Sequence, residues 1–215
     1  MTALLAGGSG LVGRELAAAW TGPGELHLLS RRPVPAAGPA AGLQRVHVVD
    51  FSALPALPAA EEAYCCLGTT IKVAGSKAAF RAVDFDAVLA FARAARQAGA
   101  TRFAVVSALG ANPRSATFYN RVKGEMEEAL AALGFASLVI VRPSLLAGDR
   151  ASLGQPQRTG EQFALAITAP LSALIPKAWR PISAATVARA MMRALADARP
   201  GVRIVESAEL QELGK

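Results

Sequence analysis

An α/β fold built on a parallel sheet of about seven strands is predicted by two features of this 215-residue chain. The first is a set of seven short, nearly continuous apolar runs at the spacing of strand-helix-strand units, a pattern that marks strands buried on both faces. The second is Gly7-Gly8-Ser9-Gly10-Leu11-Val12-Gly13, directly after the first apolar run and directly before a helix-like segment. It reads as a strand, a phosphate-binding turn and a helix start. Gly7, Gly10 and Gly13 are spaced G-x-x-G-x-x-G, which serves a tight turn, close backbone approach to a pyrophosphate and close packing of helix on strand. The free N–H groups of Ser9 to Val12 at the helix start then face the phosphates, so the turn predicts a bound dinucleotide.

The strands are expected at Ala3 to Ala6, Leu26 to Leu29, Val46 to Val49, Ala63 to Leu67, Phe103 to Val106, Leu138 to Val141 and Val202 to Val205. Between the fourth and fifth, Phe80, Val83, Ala87, Phe91, Ala94 and Ala98 recur at three- and four-residue steps and stop at Gly99, as one face of a helix does. A second helix is expected from Phe118 to Leu133, with Glu125, Glu127 and Glu128 on its wet side, ending at Gly134. A third runs from Ala184 to Ala196. Pro33, Pro35, Gly38, Pro39 and Gly42 make the segment after the second strand a loop, and Gly148 to Gly160 is a further irregular stretch. No internal repeat interrupts this order.

Composition narrows the function. With 53% hydrophobic residues, the chain buries a full core as one domain spanning 1–215, with no room for a large second domain. The formal charge of +7, from 23 basic and 16 acidic residues, invites a nucleic-acid or anionic-membrane partner. The basic residues are scattered, however, and the aromatic content of 6% supplies no stacking platform, so no specific nucleic-acid partner is expected. The two cysteines, Cys65 and Cys66, are adjacent on a strand and point to opposite faces, which predicts reduced thiols and no metal site. The apolar stretch Phe163 to Ile175, broken by Thr168 and Pro170, is too short for a transmembrane segment and reads as a cap helix, with an exposed face for dimerisation or membrane contact as the alternative. With no export signal at the start, these features lead to the expectation of a cytoplasmic protein.

Two clusters carry chemistry. The second strand ends at Ser30-Arg31-Arg32, where a dinucleotide fold that prefers NAD places an acid on the adenosine ribose. Two arginines suit the extra phosphate of NADP, because planar guanidinium groups grip phosphate through paired charged hydrogen bonds; a solvated basic turn is the alternative. Ser107 closes the fifth strand, and Tyr119 and Lys123 follow one turn apart on the next helix. A free tyrosine ionises at a pKa of about 10, and a close ammonium stabilises its phenolate, which is proton-transfer chemistry. His27 and His47 lie within strands and read as satisfied structural histidines; Trp179 lines a substrate mouth, packs a subunit contact or covers the core.

The turn together with Ser107, Tyr119 and Lys123 resembles the short-chain dehydrogenase/reductases, in their atypical branch. Cys66-Leu67-Gly68-Thr69-Thr70, Ala82-Val83-Asp84-Phe85-Asp86, Val106 to Ala111, Lys123-Gly124-Glu125 and Arg142-Pro143-Ser144-Leu145-Leu146 are similar to the subgroup of the human Tat-interacting oxidoreductase. The resemblance covers almost the whole chain. It implies a doubly wound Rossmann-type sheet with helices on both faces and a small C-terminal cap around 149–183. NADP(H), preferred over NAD(H), is implied near Gly7, Ser9, Gly10, Leu11, Val12, Arg31, Arg32, Leu67, Gly68 and Thr69. Tyr119 and Lys123 are implied at the nicotinamide, with the segment carrying Pro143 and Leu145 passing over it. Two positions depart from the pattern: Ala6 replaces a frequent threonine, and Asp84 replaces a frequent asparagine.

The function expected is an NADP(H)-dependent oxidoreductase acting on a small-molecule carbonyl or alcohol, with Tyr119 as acid/base, Lys123 binding the ribose and Ser107 positioning the reacting oxygen. An alternative of another class is an NADPH-binding regulatory protein that acts through a protein partner with little turnover. The short segment after Asp149 leaves the substrate pocket open or completed by a second subunit in a homodimer.

Overall fold

The structure, a computed structural model, describes residues 2–147 and 176–215. Strands β1 (Ala3–Ala6), β2 (Leu26–Ser30), β3 (Gln44–Val48), β4 (Glu62–Cys65), β5 (Arg102–Val106), β6 (Ser137–Arg142) and β9 (Gly201–Glu206) form one sheet in the order β3-β2-β1-β4-β5-β6-β9. All six pairings are parallel, with Ala6 level with Leu29 on one side and Cys65 on the other. A second, two-stranded parallel ladder joins β7 (Leu146–Ala147) to β8 (Ile182–Ser183).

Helices cover both faces of the large sheet. On one face, α1 (Leu11–Ala19), α6 (Ala184–Ala196) and α7 (Ser207–Leu213) bring Leu16, Met191, Leu195 and Leu210 against Leu5, Leu28 and Val139. On the other, α4 (Val88–Gln97) and α5 (Phe118–Ala131) bring Phe91, Met126 and Leu130 against Leu4, Leu29, Phe103 and Ile140. Burial of each such side chain contributes about 1.5–3 kcal/mol, so the fold rests on two apolar layers sharing one sheet. The connections run away from β1 toward β2 and from β4 toward β5 in opposite directions. Their divergence opens a crevice at the carboxyl ends of β1 and β4, where doubly wound sheets bind ligands.

The expected strands are all present, and Ala184–Ala196 matches its expected bounds. Burial on both faces holds for the inner strands and fails at the two edges. Val46 and Val48 of β3 and Val202 and Ile204 of β9 are exposed, because an edge strand has a neighbour on one side only. Cys65 and Cys66 are free and belong to opposite core layers; burial pushes the Cys65 thiol up to about 12, which makes it inert. His27 Nδ1 and His47 Nε2 lie 2.8 Å apart on adjacent strands, satisfying one another as structural histidines do. The stretches Gly148 to Gly160 and Phe163 to Ile175 fall outside the described residues.

The helical stripe after β4 departs from the expected one. The chain forms α2 (Ile71–Ala74) and α3 (Lys77–Arg81), passes through a π-helical segment at Ala82–Ala87, and continues as α4. One residue is added to the turn there, so the buried face runs through Phe80, Asp84, Val88, Phe91, Ala92 and Ala95, and Val83 and Ala87 fall to its flank. Asp84 thereby turns inward, under the crevice.

Candidate active site

The glycine turn is fixed by contact as much as by conformation. Gly7 has φ +87°, a left-handed value that favours glycine, and a Cβ on Gly13 would sit 2.2 Å from the Gly7 carbonyl oxygen. Helix α1 therefore starts hard against the end of β1. Its N-cap, Gly10, is extended and offers no side-chain cap, and Gly10, Leu11 and Val12 line a cavity of about 620 Å³ at the switch point. The first-turn amides of α1 are left for an anion. Leu67, Gly68 and Thr69, following β4, form the facing wall.

Tyr119 and Lys123 lie one turn apart on α5 and both line the cavity. The Tyr119 ring packs on Phe80 of α3, with centroids 5.3 Å apart, which limits its swing. Lys123 Nζ stands 2.7 Å from Asp84 Oδ1, with side-chain exposures of 3% and 1%, and that ion pair is the partner of the otherwise unbonded Oδ1. The second Asp84 oxygen accepts the Thr69 N–H at 2.8 Å, tying the carboxylate to the loop after β4. Burial by itself pulls the Lys123 pKa down; the negative charge of Asp84, helped by Tyr119, outweighs it and holds the ammonium above its ordinary value. The site thus keeps a permanent cation one helical turn from a phenol.

Ser107 is held from behind. Its hydroxyl donates to Glu127 Oε1 at 2.5 Å, and Glu127 in turn accepts from Arg142 Nε at 3.0 Å and Nη2 at 2.5 Å. Arg142 reaches on to Glu206 of β9 at 2.9 Å. These carboxylates raise Arg142 further above its ordinary value, the hydrogen bonds it donates to Glu127 first among the causes, so it stays charged throughout. Glu127 is not on the wet side of α5 as expected: it is 6% exposed, because a guanidinium on β6 and the Ser107 hydroxyl just after β5 supply buried partners that a helical pattern does not reveal. Glu125, by contrast, pairs with Arg81 at 2.5 Å, and Glu128 is exposed.

Gly124 explains how these parts fit together. A Cβ there would lie 2.2 Å from both the Asn112 carbonyl carbon and the Pro113 nitrogen, so the loop that follows β5 presses its backbone onto α5 beside Lys123. Pro143 and Leu145 line the cavity, and Ser144 Oγ donates to the Arg180 carbonyl at 2.5 Å, bringing the segment before β8 to the rim. Gly7 lies beneath the turn, and Ser9, Arg31 and Arg32 are exposed, outside the cavity wall. Asp84 and Glu127 are the charged groups that the sequence left unassigned. The signal for Glu127 was its place four residues beyond Lys123, on the same face as Tyr119. Trp179, of its three expected roles, lines the cavity. Among the described residues, no group of three or more His, Cys, Asp or Glu side chains is placed to hold a metal, and no helix is long and apolar enough to cross a membrane.

No protein-family model matches the chain. Individual relatives do. Protein HTATIP2 of Rattus norvegicus is 35% identical over 176 residues, covering 78% of this chain and 69% of that protein. The mitochondrial protein FMP52 of Eremothecium gossypii is 32% identical over 227 residues, covering 100% and 98%. The chain belongs to the atypical short-chain dehydrogenase/reductases, in the group of HTATIP2 and FMP52. Among solved structures, this family member is similar in fold to MoeE5 in complex with UDP-glucose and NAD, with TM-score 0.71 at 18% identity, covering 100% of this chain and 81% of that one. It is likewise similar to the ADP-L-glycero-D-manno-heptose-6-epimerase of Helicobacter pylori, with TM-score 0.67 at 17% identity, covering 99% and 79%. One expectation is corrected. FMP52 relatives from several fungi are mitochondrial by name, which overturns the cytoplasmic placement. Reduced cysteines and the want of an export signal were its support, and neither separates one reducing compartment from another.

Proposed function

We propose that the protein is an NADP(H)-dependent oxidoreductase acting on a carbonyl or alcohol. The observation that carries the reading is the buried Lys123 ammonium beside Tyr119, in a cavity that also takes in the uncapped start of α1. The open amides at Leu11 and Val12 and the close-packed glycines fit a dinucleotide pyrophosphate. Arg31 and Arg32, exposed just after β2 where the sequence Ser30-Arg31-Arg32 holds no acid, fit a 2′-phosphate. NADP(H), when bound, supplies or accepts the hydride.

The chain's own residues handle the proton. Tyr119 gives its hydroxyl proton to the reacting oxygen in the reductive direction and takes it back in the oxidative one. Lys123 stabilises the phenolate that forms, and the one N–H not directed at Asp84 or the Val106 carbonyl is left to hold a ribose hydroxyl. Ser107 has committed its proton to Glu127, so it presents lone pairs to the cavity and accepts a hydrogen bond there. Tyr119→Phe tests the assignment, measured as NADPH oxidation with a panel of aldehydes and ketones. A general acid contributes about 10²–10⁴-fold, and a loss of that order with NADPH affinity retained is expected. Unchanged turnover with a productive substrate overturns the role of Tyr119.

A further inference from the structure

We propose that the cavity takes an uncharged carbonyl or alcohol carrying an apolar chain or ring, and rejects anionic substrates such as nucleotide sugars. The inference rests on the oxidoreductase reading and names the substrate class of the same site. Its first support is charge. Among the described residues lining the cavity, Asp84 and Lys123 are the charged side chains, and they neutralise one another at 2.7 Å. No described guanidinium or second ammonium lines it to receive a diphosphate or carboxylate beyond the cofactor. An anion entering that space would lose water without gaining a counter-charge.

A second support is the state of the polar groups. Ser107 donates to Glu127, Ser144 donates to the Arg180 carbonyl, and Thr70 caps α2 by accepting the Val73 N–H at 3.2 Å. The wall's hydroxyls are therefore largely spent on the protein itself. Among the described residues, the Tyr119 and Thr69 hydroxyls of the wall make no hydrogen bond, which suits a ligand with few polar atoms. The third support is the rim. Val73 and Trp179 both line the cavity and are 53% and 68% exposed, while Leu109 and Leu146 line the same space. Exposed apolar groups at a cavity mouth gain most from a ligand that covers them.

The net charge of +7 sharpens the claim, because the long-range field attracts anions and works against it. Binding is read by fluorescence in a Trp20→Phe background. The chain has two tryptophans, Trp20 is buried, and emission then reports Trp179. Octanol, octanoate and UDP-glucose are titrated with NADPH present, at roughly 0.15 M salt so that surface charge is screened; none of the three is reduced by NADPH in a single hydride step at a free carbonyl. Octanol is expected to shift the Trp179 emission, with octanoate at least tenfold weaker and UDP-glucose silent. Octanoate or UDP-glucose binding as tightly as octanol, or octanol failing to bind, overturns the proposal. NADPH oxidation with octanal is measured separately. Octanol binding without any octanal turnover tells against the oxidoreductase reading while upholding the substrate class; octanal turnover with equal octanoate binding upholds the former and overturns the latter.

Discussion

Replacing Asp84 by asparagine removes the negative charge that faces Lys123 and leaves the rest of the contact in place. The asparagine oxygen still accepts the Thr69 N–H, so the loop after β4 keeps its anchor. Lys123 is then a buried cation without its counter-ion. Removing one partner of a buried pair costs about 3–5 kcal/mol. With the counter-charge gone, burial prevails and pulls Lys123 below its ordinary value, and the lower end of that cost is about 3 kcal/mol. For a chain of this size the same figure lowers Tm by about 6–12 °C. The pH dependence carries the sharper test. In the wild type the folded-state pKa of Lys123 lies above the unfolded one, so its stabilisation is complete below about pH 10.4 and fades as pH rises through the folded value. In Asp84→Asn the order reverses, and the variant gains stability relative to wild type as pH climbs. Thermal melts of both proteins from neutral pH to pH ~11 should show a gap that is widest near neutrality and closes in alkali. A gap that is absent, or constant across that range, refutes the ion-pair argument.

Glu127→Gln breaks the carboxylate's pairing with Arg142 and gives Ser107 an amide neighbour; Tm should fall by several degrees and KM for the carbonyl substrate should rise, both measurable on one preparation. Gly124→Ala places a methyl 2.2 Å from the Asn112–Pro113 backbone, which is not a side-chain tip that swings away, so a loss of about 1–3 kcal/mol by denaturant titration is expected together with lost turnover. An Arg31→Ala/Arg32→Ala double variant should weaken NADPH by tenfold or more in titration calorimetry and leave NADH unchanged; equal loss for both cofactors would remove the 2′-phosphate role.

The glycine turn, the seven apolar runs and helix Ala184–Ala196 were legible because each is a local signal: spacing, hydrophobic continuity and a stop residue. The residues around Lys123 were only half legible. Tyr119 and Lys123 announce themselves by a four-residue step, but Asp84 reaches Lys123 through a π turn, and a periodicity of 3.6 puts Val83 and Ala87 on the buried face in place of Asp84 and Val88, while Phe91 stays where it was expected. Glu127 was misread for a different reason. A helical carboxylate is normally solvated, and what buries this one lies just after β5 and on β6, at Ser107 and Arg142, twenty and fifteen residues away in sequence. Edge strands β3 and β9 were over-buried because strand order is not written in any single run.

The line Ser107, Glu127, Arg142, Glu206 joins the wall of the cavity to the outermost strand of the sheet. One carboxylate serves both ends of that line, so the seating of β9 and the orientation of a cavity hydroxyl share a single determinant. An insertion or a neighbouring protein that tugs on Glu206 is felt at Ser107 without touching it. The margin of this sheet is, in that sense, a handle on its centre.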